Sequence, residues 1–126
     1  MIVLDTSVLI DALSGPRRSA GALRRAIQAG ERLLLPSLVL YEWLRGPRLP
    51  QELAAQEALF PSAVALAFGP AEAARAAQLY VTLPRARGRE IDLAIAACAL
   101  TLDARLWTRN PRDFRDLPDL QLYEAS

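Results

Sequence analysis

The amino-acid sequence predicts a three-layer α/β/α fold around a central, mostly parallel sheet. Short aliphatic runs alternate with amphipathic or alanine-rich segments along most of the chain, and parallel strands need a crossover helix between them. The chain has 126 residues and an apolar content of 52%, which fits one domain with a buried core. We therefore expect residues 1–126 to form a single domain.

Local signals predict each element in turn. The strands are short aliphatic runs that end at polar residues or proline, and they cover 2–4, 32–35, 63–68, 105–108 and, at the edge, 120–123. The helices mostly stop at glycine or proline, and they cover 8–13, 19–29, 37–45, 50–59, 71–82 and 90–102. Thr6 or Ser7 is the expected N-cap of the first helix.

The composition excludes several kinds of active site. The chain has no histidine, and its single cysteine, Cys98, lies inside an apolar run. The lack of histidine excludes histidine-based acid–base catalysis, Ser-His-Asp and Cys-His nucleophilic sites, and zinc sites that need imidazole. Hydrolytic chemistry would therefore rest on carboxylates and on a metal that they bind. We expect Cys98 to be a buried structural thiol.

Hydropathy and charge give broader expectations. No apolar run approaches the length of a membrane span, and the sequence begins with an acid at position 5 and no basic n-region of a secretory signal. We therefore expect a cytoplasmic protein that does not contact a membrane. The net charge is +1, and all fifteen basic side chains are arginines. Arginine suits phosphate contact, although charged runs are commonly just solvated surface.

Three acidic residues lie in strongly apolar surroundings. Asp5 follows the first strand, Glu42 lies in the third helix, and Asp92 lies in the first turn of the last helix. Each has an ordinary structural explanation: an N-cap for the first, an i, i+3 pair with Arg45 for the second, and a dipole complement for the third. Gathered in one dry cleft, they would repel one another unless a cation lay between them. Oxygen ligands without histidine suit Mg²⁺ or Mn²⁺.

The segment after the fourth predicted strand adds further polar groups. Thr108 and Asn110 supply a hydroxyl and an amide that can hold carboxylates or metal-bound water. Asp113 can be a fourth acid or an ordinary turn residue. Ligands in such folds bind at the carboxyl ends of the strands, where both Asp5 and this segment are expected.

The sequence resembles PIN-domain proteins, and specifically the VapC-type toxins of bacterial and archaeal toxin–antitoxin pairs. Four segments carry the resemblance, in family order from Met1 to Phe114: MIVLDTSVLIDAL, LLLPSLVLYEWLRG, REIDLAIAACAL and LWTRNPRDF. The resemblance implies a PIN-like fold and a Mg²⁺- or Mn²⁺-dependent endoribonuclease that hydrolyses RNA with activated water. It also implies a homodimer that a small antitoxin protein neutralises by covering the active-site groove.

Residue by residue, the resemblance assigns the acids and hydroxyls of the site. Asp5, Glu42 and Asp92 match the acidic motif positions and are the expected metal ligands and catalytic residues. Thr6 and Thr108 match hydroxyl positions that support the site.

The match is incomplete after the last core strand. The family often has a further acid where this chain has Asn110, so either Asn110 or Asp113 is expected to complete the metal site. The candidate contacts to RNA phosphates are Arg89, Arg109 and Arg112.

Other functions fit the sequence less well. The main alternative is a PIN-like RNA- or protein-binding module with weak or no nuclease turnover, which the departure at Asn110 favours and the three intact acids oppose. Haloacid-dehalogenase-like phosphatases have a second acid where this chain has Ser7. A receiver module would need a lysine, which the chain lacks.

Overall fold

The structure, a computed structural model, describes residues 1–125, so the final residue of the predicted domain, Ser126, lies outside the described residues. The strands are β1 (Ile2–Leu4), β2 (Leu33–Leu34) and β3 (Arg105–Trp107). The helices are α1 (Thr6–Leu13), α2 (Ala20–Gln28), α3 (Ser37–Arg45), α4 (Pro50–Leu59), α5 (Pro70–Thr82) and α6 (Glu90–Thr101). Two 3₁₀ turns cover Ser62–Val64 and Pro111–Asp113.

The three strands form a parallel sheet in the order β2-β1-β3. Val3 in the central strand pairs with Leu34 on one side and with Leu106 on the other. All of β1 is buried, as expected for a short aliphatic strand covered on both faces. The predicted α/β class with a parallel sheet is confirmed.

The predicted strand at 63–68 was wrong. Residues Ser62–Val64 form a 3₁₀ turn instead. Within this segment only Leu66 takes part in β pairing, through an isolated parallel bridge with Pro36. Pro61 precedes the turn, and the Val64 side chain is 71% exposed. Leu66 packs partly buried against the core, but its aliphatic neighbours are too exposed to give the segment a continuous buried face that would stabilise a strand.

The predicted edge strand at 120–123 was also too long. Within the described residues it is reduced to one parallel bridge between Leu122 and Leu106. Asp119 has a positive φ of 67°, which turns the chain immediately before this bridge.

At the other end of the chain, Asp5 is the N-cap residue of α1, so the predicted cap at Thr6 or Ser7 was wrong by one or two positions.

Helix α6 is the centre of the core. Every residue from Leu93 to Ala99 is buried, which explains why this stretch carries no charge. The helix packs against β1, β3, α3 and α5. Cys98 lies within it, and burial raises the pKa of its thiol to about 11, as a structural cysteine requires. No helix in the described part of the chain is long and apolar enough to cross a membrane.

Truncation of a core side chain in α6 tests this packing. Ile95 is fully buried, so Ile95→Ala should lower the free energy of unfolding by about 2–5 kcal/mol. Ile27→Ala removes the same atoms from α2, where the side chain is 44% exposed, and should cost about 1 kcal/mol or less. Urea denaturation measures both changes. Equal losses would contradict the placement of α6 at the centre of the core.

Candidate active site

Asp5 lies at the carboxyl end of the central strand. Its backbone N–H donates to the Trp107 carbonyl oxygen at 2.9 Å, which extends the β1–β3 ladder to this residue. Its carbonyl oxygen then accepts the N–H groups that begin α1, from Val8 and Leu9. The side chain makes no capping hydrogen bond and is only 5% exposed. A cap therefore does not explain why this residue is acidic.

Two neutral hydroxyls hold the Asp5 carboxylate. Ser7 Oγ donates to Asp5 Oδ2 at 2.9 Å, and Thr108 Oγ1 donates to the same oxygen at 2.7 Å. Asp5 makes no ion pair with any of the residues 1–125. A buried carboxylate without a cationic partner is costly, which makes Asp5 a fitting ligand for a metal cation.

Glu42 is joined to the same edge of the sheet through Thr6. The Thr6 hydroxyl donates to Glu42 Oε1 at 2.5 Å, across 36 positions of sequence. The other carboxylate oxygen, Oε2, lies 3.4 Å from a guanidinium nitrogen of Arg45. The i, i+3 pair considered from the sequence is thus present, but Arg45 is largely exposed and such pairs contribute little to stability. It therefore does not exclude a second role for Glu42.

The negative charges of the other acids act on the pKa of Asp92. Burial raises its pKa to about 6, with added contributions from the negative charges of Asp5, Asp113 and Glu42, while Arg89 acts in the opposite direction. A negative charge raises the pKa of a carboxyl group in this way when the two lie near each other. The three predicted acids and Asp113 therefore lie around one region of the molecule.

The donor set of this region is oxygen only, as Mg²⁺ and Mn²⁺ prefer. Among residues 1–125, however, no three acidic, histidine or cysteine side chains stand close enough to form a ready metal site. The chemistry of the donors fits a divalent cation, and a bound cation would need the carboxylates closer together than the structure has them.

The two candidates for the fourth ligand differ in their surroundings. The Asn110 backbone N–H donates to Thr108 Oγ1 at 3.0 Å, and its side chain is exposed. Asp113 lies in the 3₁₀ turn Pro111–Asp113 and contributes to the raised pKa of Asp92. Asp113 is therefore electrostatically coupled to the cluster of acids.

Arg89 is engaged within the protein. One terminal nitrogen of its guanidinium donates to Asp116 at 2.8 Å and to the Arg85 carbonyl oxygen at 3.1 Å. The other nitrogen donates to Asp116 at 2.7 Å and to the Asp113 carbonyl oxygen at 2.8 Å. This fork holds the start of α6 against the segment after β3. Arg89 thus acts as a structural clamp, which leaves its guanidinium little freedom to contact phosphate.

Arg109 is held by a residue that sequence reasoning missed. A guanidinium nitrogen of Arg109 donates to Asp11 Oδ2 at 2.8 Å, and Ser19 Oγ donates to the same oxygen at 2.6 Å. Arg18 also pairs with Asp11, at 3.3 Å. The hydrogen bond from Ser19 is the main cause that lowers the pKa of Asp11 below its ordinary value. Asp11 therefore stays ionised and fixes the segment after β3 to α1.

Ser7 was also missed as a site residue. Its hydroxyl accepts the Arg109 backbone N–H at 2.9 Å and donates to Asp5, so it connects α1 with the segment after β3. Helical spacing could have indicated both missed residues, because positions 7 and 11 are four apart and lie on the same face of α1. Arg112, the third predicted phosphate contact, is exposed.

Comparisons with known proteins agree with the resemblance found in the sequence. The family model described as PIN domain matches residues 2–120. Ribonuclease VapC19 of Mycobacterium tuberculosis (strain CDC 1551 / Oshkosh) is 38% identical over 124 residues, which cover 96% of this chain and 98% of the relative.

Solved structures share the fold. The crystal structure of DNA-bound VapBC from Salmonella typhimurium superposes with a TM-score of 0.81 at 22% identity, covering 97% of this chain and 96% of that chain. A toxin–antitoxin complex from Klebsiella pneumoniae gives a TM-score of 0.69 at 26% identity, with 98% and 99% covered.

The raised pKa of Asp92 predicts a pH-dependent stability in the absence of metal. Its pKa is 3.8 ordinarily and about 6 in the folded chain, so ionisation disfavours the folded state and stability is lost as pH rises from about 4 to about 6. Asp92→Asn should therefore stabilise the protein at pH 7.5 by about 1–2 kcal/mol, a value reduced for partial exposure. At pH 4 the difference should nearly vanish.

Urea denaturation in EDTA at the two pH values measures this effect. Asp103→Asn is the matched control, because Asp103 is exposed, precedes β3 and has a positive φ of 52° that asparagine also tolerates. A gain for Asp103→Asn equal to that for Asp92→Asn would contradict the assignment to the acid cluster.

Proposed function

Because the chain belongs to the PIN-domain family, we propose that it is a metal-dependent endoribonuclease, the toxin of a toxin–antitoxin pair. The single observation that carries this proposal is the shared region of four acids, in which Asp5, Glu42 and Asp113 each raise the pKa of Asp92. The similarity to a ribonuclease along 96% of the chain supports the same reaction class. We also propose that it acts in the cytoplasm.

The proposed ligands of a Mg²⁺ or Mn²⁺ ion are Asp5, Glu42 and Asp92. Asp113 is the preferred fourth residue over Asn110 because its negative charge acts on Asp92. When bound, the metal supplies a nucleophilic water at neutral pH and stabilises charge on the phosphodiester.

The chain's own residues orient and compensate these ligands. The hydroxyls of Ser7 and Thr108 fix the Asp5 carboxylate, and the Thr6 hydroxyl fixes Glu42. Because hydroxyls carry no charge, they orient the carboxylates without cancelling the negative charge that attracts a cation. Without a cation, burial and the neighbouring acids raise the pKa of Asp92 to about 6, and a bound cation would favour its ionised, metal-binding form.

A small antitoxin is the proposed protein partner. Structural relatives of this chain were solved as toxin–antitoxin complexes. A groove of about 700 Å³ lies between α1, α2 and α4, and its apolar residues include Leu13, Leu23, Ile27, Ala55 and Leu59. Such a groove fits the apolar face of an amphipathic helix, which an antitoxin segment can supply.

A second copy of the chain is proposed to cover another apolar surface. Phe68, Tyr80 and Ile91 are large and exposed, and they line a depression of about 330 Å³ together with Leu38 and Ala77. Contiguous apolar surface of this kind is typical of protein interfaces. We propose that this face, formed by α3, α5 and α6, joins two chains in a homodimer.

Substitution of Asp5 tests the nuclease function. Asp5→Asn keeps the size of the side chain and an oxygen that accepts the bonds from Ser7 and Thr108, but it removes the charge. RNA cleavage should fall by on the order of 100-fold or more, while the unfolding transition is retained. A fluorogenic RNA assay with Mg²⁺, Mn²⁺ or EDTA measures this loss.

The exposed acid Asp103 again provides the control. Asp103→Asn should cleave RNA at the wild-type rate, because this residue precedes β3 and lies outside the acid cluster. Metal-dependent cleavage retained by Asp5→Asn would exclude the proposed site. Absence of cleavage by the wild-type chain with either metal would favour the binding-module alternative.

A charge placed on the α3–α5–α6 face tests the dimer. Ala77→Glu puts a carboxylate into the apolar depression and should convert a dimer into a monomer, because burying that charge costs several kcal/mol. Ala58→Glu introduces the same charge on an exposed position of α4 and should leave the dimer intact. Light scattering after size-exclusion chromatography gives the masses. A dimeric Ala77→Glu variant would exclude this face.

A further inference from the structure

Two depressions meet beside the carboxylates, at the carboxyl end of β3. The first, of about 420 Å³, lies between the start of α2 and the C-terminal segment. The second, of about 360 Å³, lies at the 3₁₀ turn Pro111–Asp113. Both are lined by Arg109, Pro111 and Arg115, so they form one continuous groove. We call it the arginine groove, after Arg18, Arg109, Arg112 and Arg115.

The arginine groove leads to the candidate active site. Thr108, which donates to the buried Asp5 carboxylate, lines its first part. Asp113, which acts electrostatically on Asp92, lines its second part. A strand that enters the acid cluster can therefore continue into the groove without leaving the surface of the protein.

The basic side chains of the groove face solvent. Arg112 and Arg115 are exposed and make no side-chain hydrogen bond or ion pair within residues 1–125. Arg18 and Arg109 share one partner, Asp11, but their side chains remain 68% and 43% exposed. Four guanidinium groups thus line a groove on a chain whose net charge is only +1, and guanidinium groups suit phosphate contact.

The aromatic ring of the groove already has neighbours within the protein. Tyr123 is a partly exposed aromatic residue in the lining of the groove. The Arg105 guanidinium lies 5.0 Å from the centre of the Tyr123 ring. The Trp107 ring lies 5.1 Å away, tilted by 59°. Both neighbours reduce the area of the Tyr123 ring that is open to a stacked base. Binding in the groove therefore rests on charge.

We propose that the arginine groove binds the sugar–phosphate backbone of a single RNA strand beside the bond that is cut. The proposal rests on the proposed nuclease function, and it adds Arg18 and Arg115 to the residues that contact substrate. Contacts to phosphate alone give affinity without sequence preference. Sequence preference, where it exists, must then come from other residues.

The double variant Arg112→Gln/Arg115→Gln tests the groove. Binding of a fluorescein-labelled single-stranded RNA oligonucleotide is measured by anisotropy in EDTA, over a range of salt concentrations. The variant should bind about 10-fold more weakly at low salt, and the slope of log Kd against log salt should fall by about 1.4, the value for two phosphate contacts of a single strand.

Arg24→Gln/Arg32→Gln is the matched control. Both residues are exposed, and the substitutions remove the same charge outside the groove. Its Kd should stay within about twofold of the wild-type value. If both double variants weaken binding equally, or if neither does, the groove is not the RNA-binding surface. Binding of a polyglutamate peptide but not of RNA would assign the groove to an acidic protein segment and overturn the proposal.

The same variants separate the groove from the nuclease function. In the cleavage assay Arg112→Gln/Arg115→Gln should raise KM about 10-fold and leave kcat nearly unchanged, because contacts to phosphates that do not react stabilise the bound substrate and the transition state equally. If the variant cleaves RNA normally with unchanged KM and Kd, the groove proposal is wrong but the proposed nuclease function is unaffected. If RNA binding depends on the groove but no cleavage is seen, the proposed nuclease function is wrong and the groove proposal is unaffected.

Discussion

A buried carboxylate at the end of the central strand is the constraint on which the functional edge of this molecule depends. Asp5 is buried without a cationic partner among the described residues, and two hydroxyls donate to one of its oxygens. Those hydroxyls come from Ser7 in α1 and Thr108 after β3, so satisfying the carboxylate also fixes two elements to each other. Because a buried, poorly paired charge opposes folding, the arrangement costs stability.

Asp92 is a second acid, partly buried, whose charge lowers the stability of the fold. Its raised pKa of about 6 reflects burial and repulsion from the other acids, and neither serves the fold. The clamp between Arg89 and Asp116, at 2.7 and 2.8 Å, stabilises the surroundings of the cluster, and the charge of Arg89 offsets part of the repulsion at Asp92. The proposed function explains this arrangement, because the acids would supply the negative charge that a cation needs while Arg89 holds the start of α6, which carries Asp92.

Sequence patterns predicted the fold better than they predicted the contacts of the site. The buried strand Ile2–Leu4 and the charge-free part of α6 carry strong local signals, and both formed as expected. The strand predicted at 63–68 failed because aliphatic composition does not reveal which segments find a buried face. Asp11 was missed because its importance comes from Arg109, 98 positions away in sequence. Such a pairing exists only in the folded chain.

Negative and positive side chains form two neighbouring clusters at this edge of the sheet. Acids surround the end of β1, while arginines line the groove beyond β3, and a net charge of +1 conceals both. A phosphodiester is repelled by the acids until a cation neutralises them, yet it is attracted by the groove at all times. The groove can therefore hold a strand before the cleavage site is loaded. Because long-range steering by a nearly neutral protein is weak, this local separation would decide where an RNA strand binds in the function that we propose.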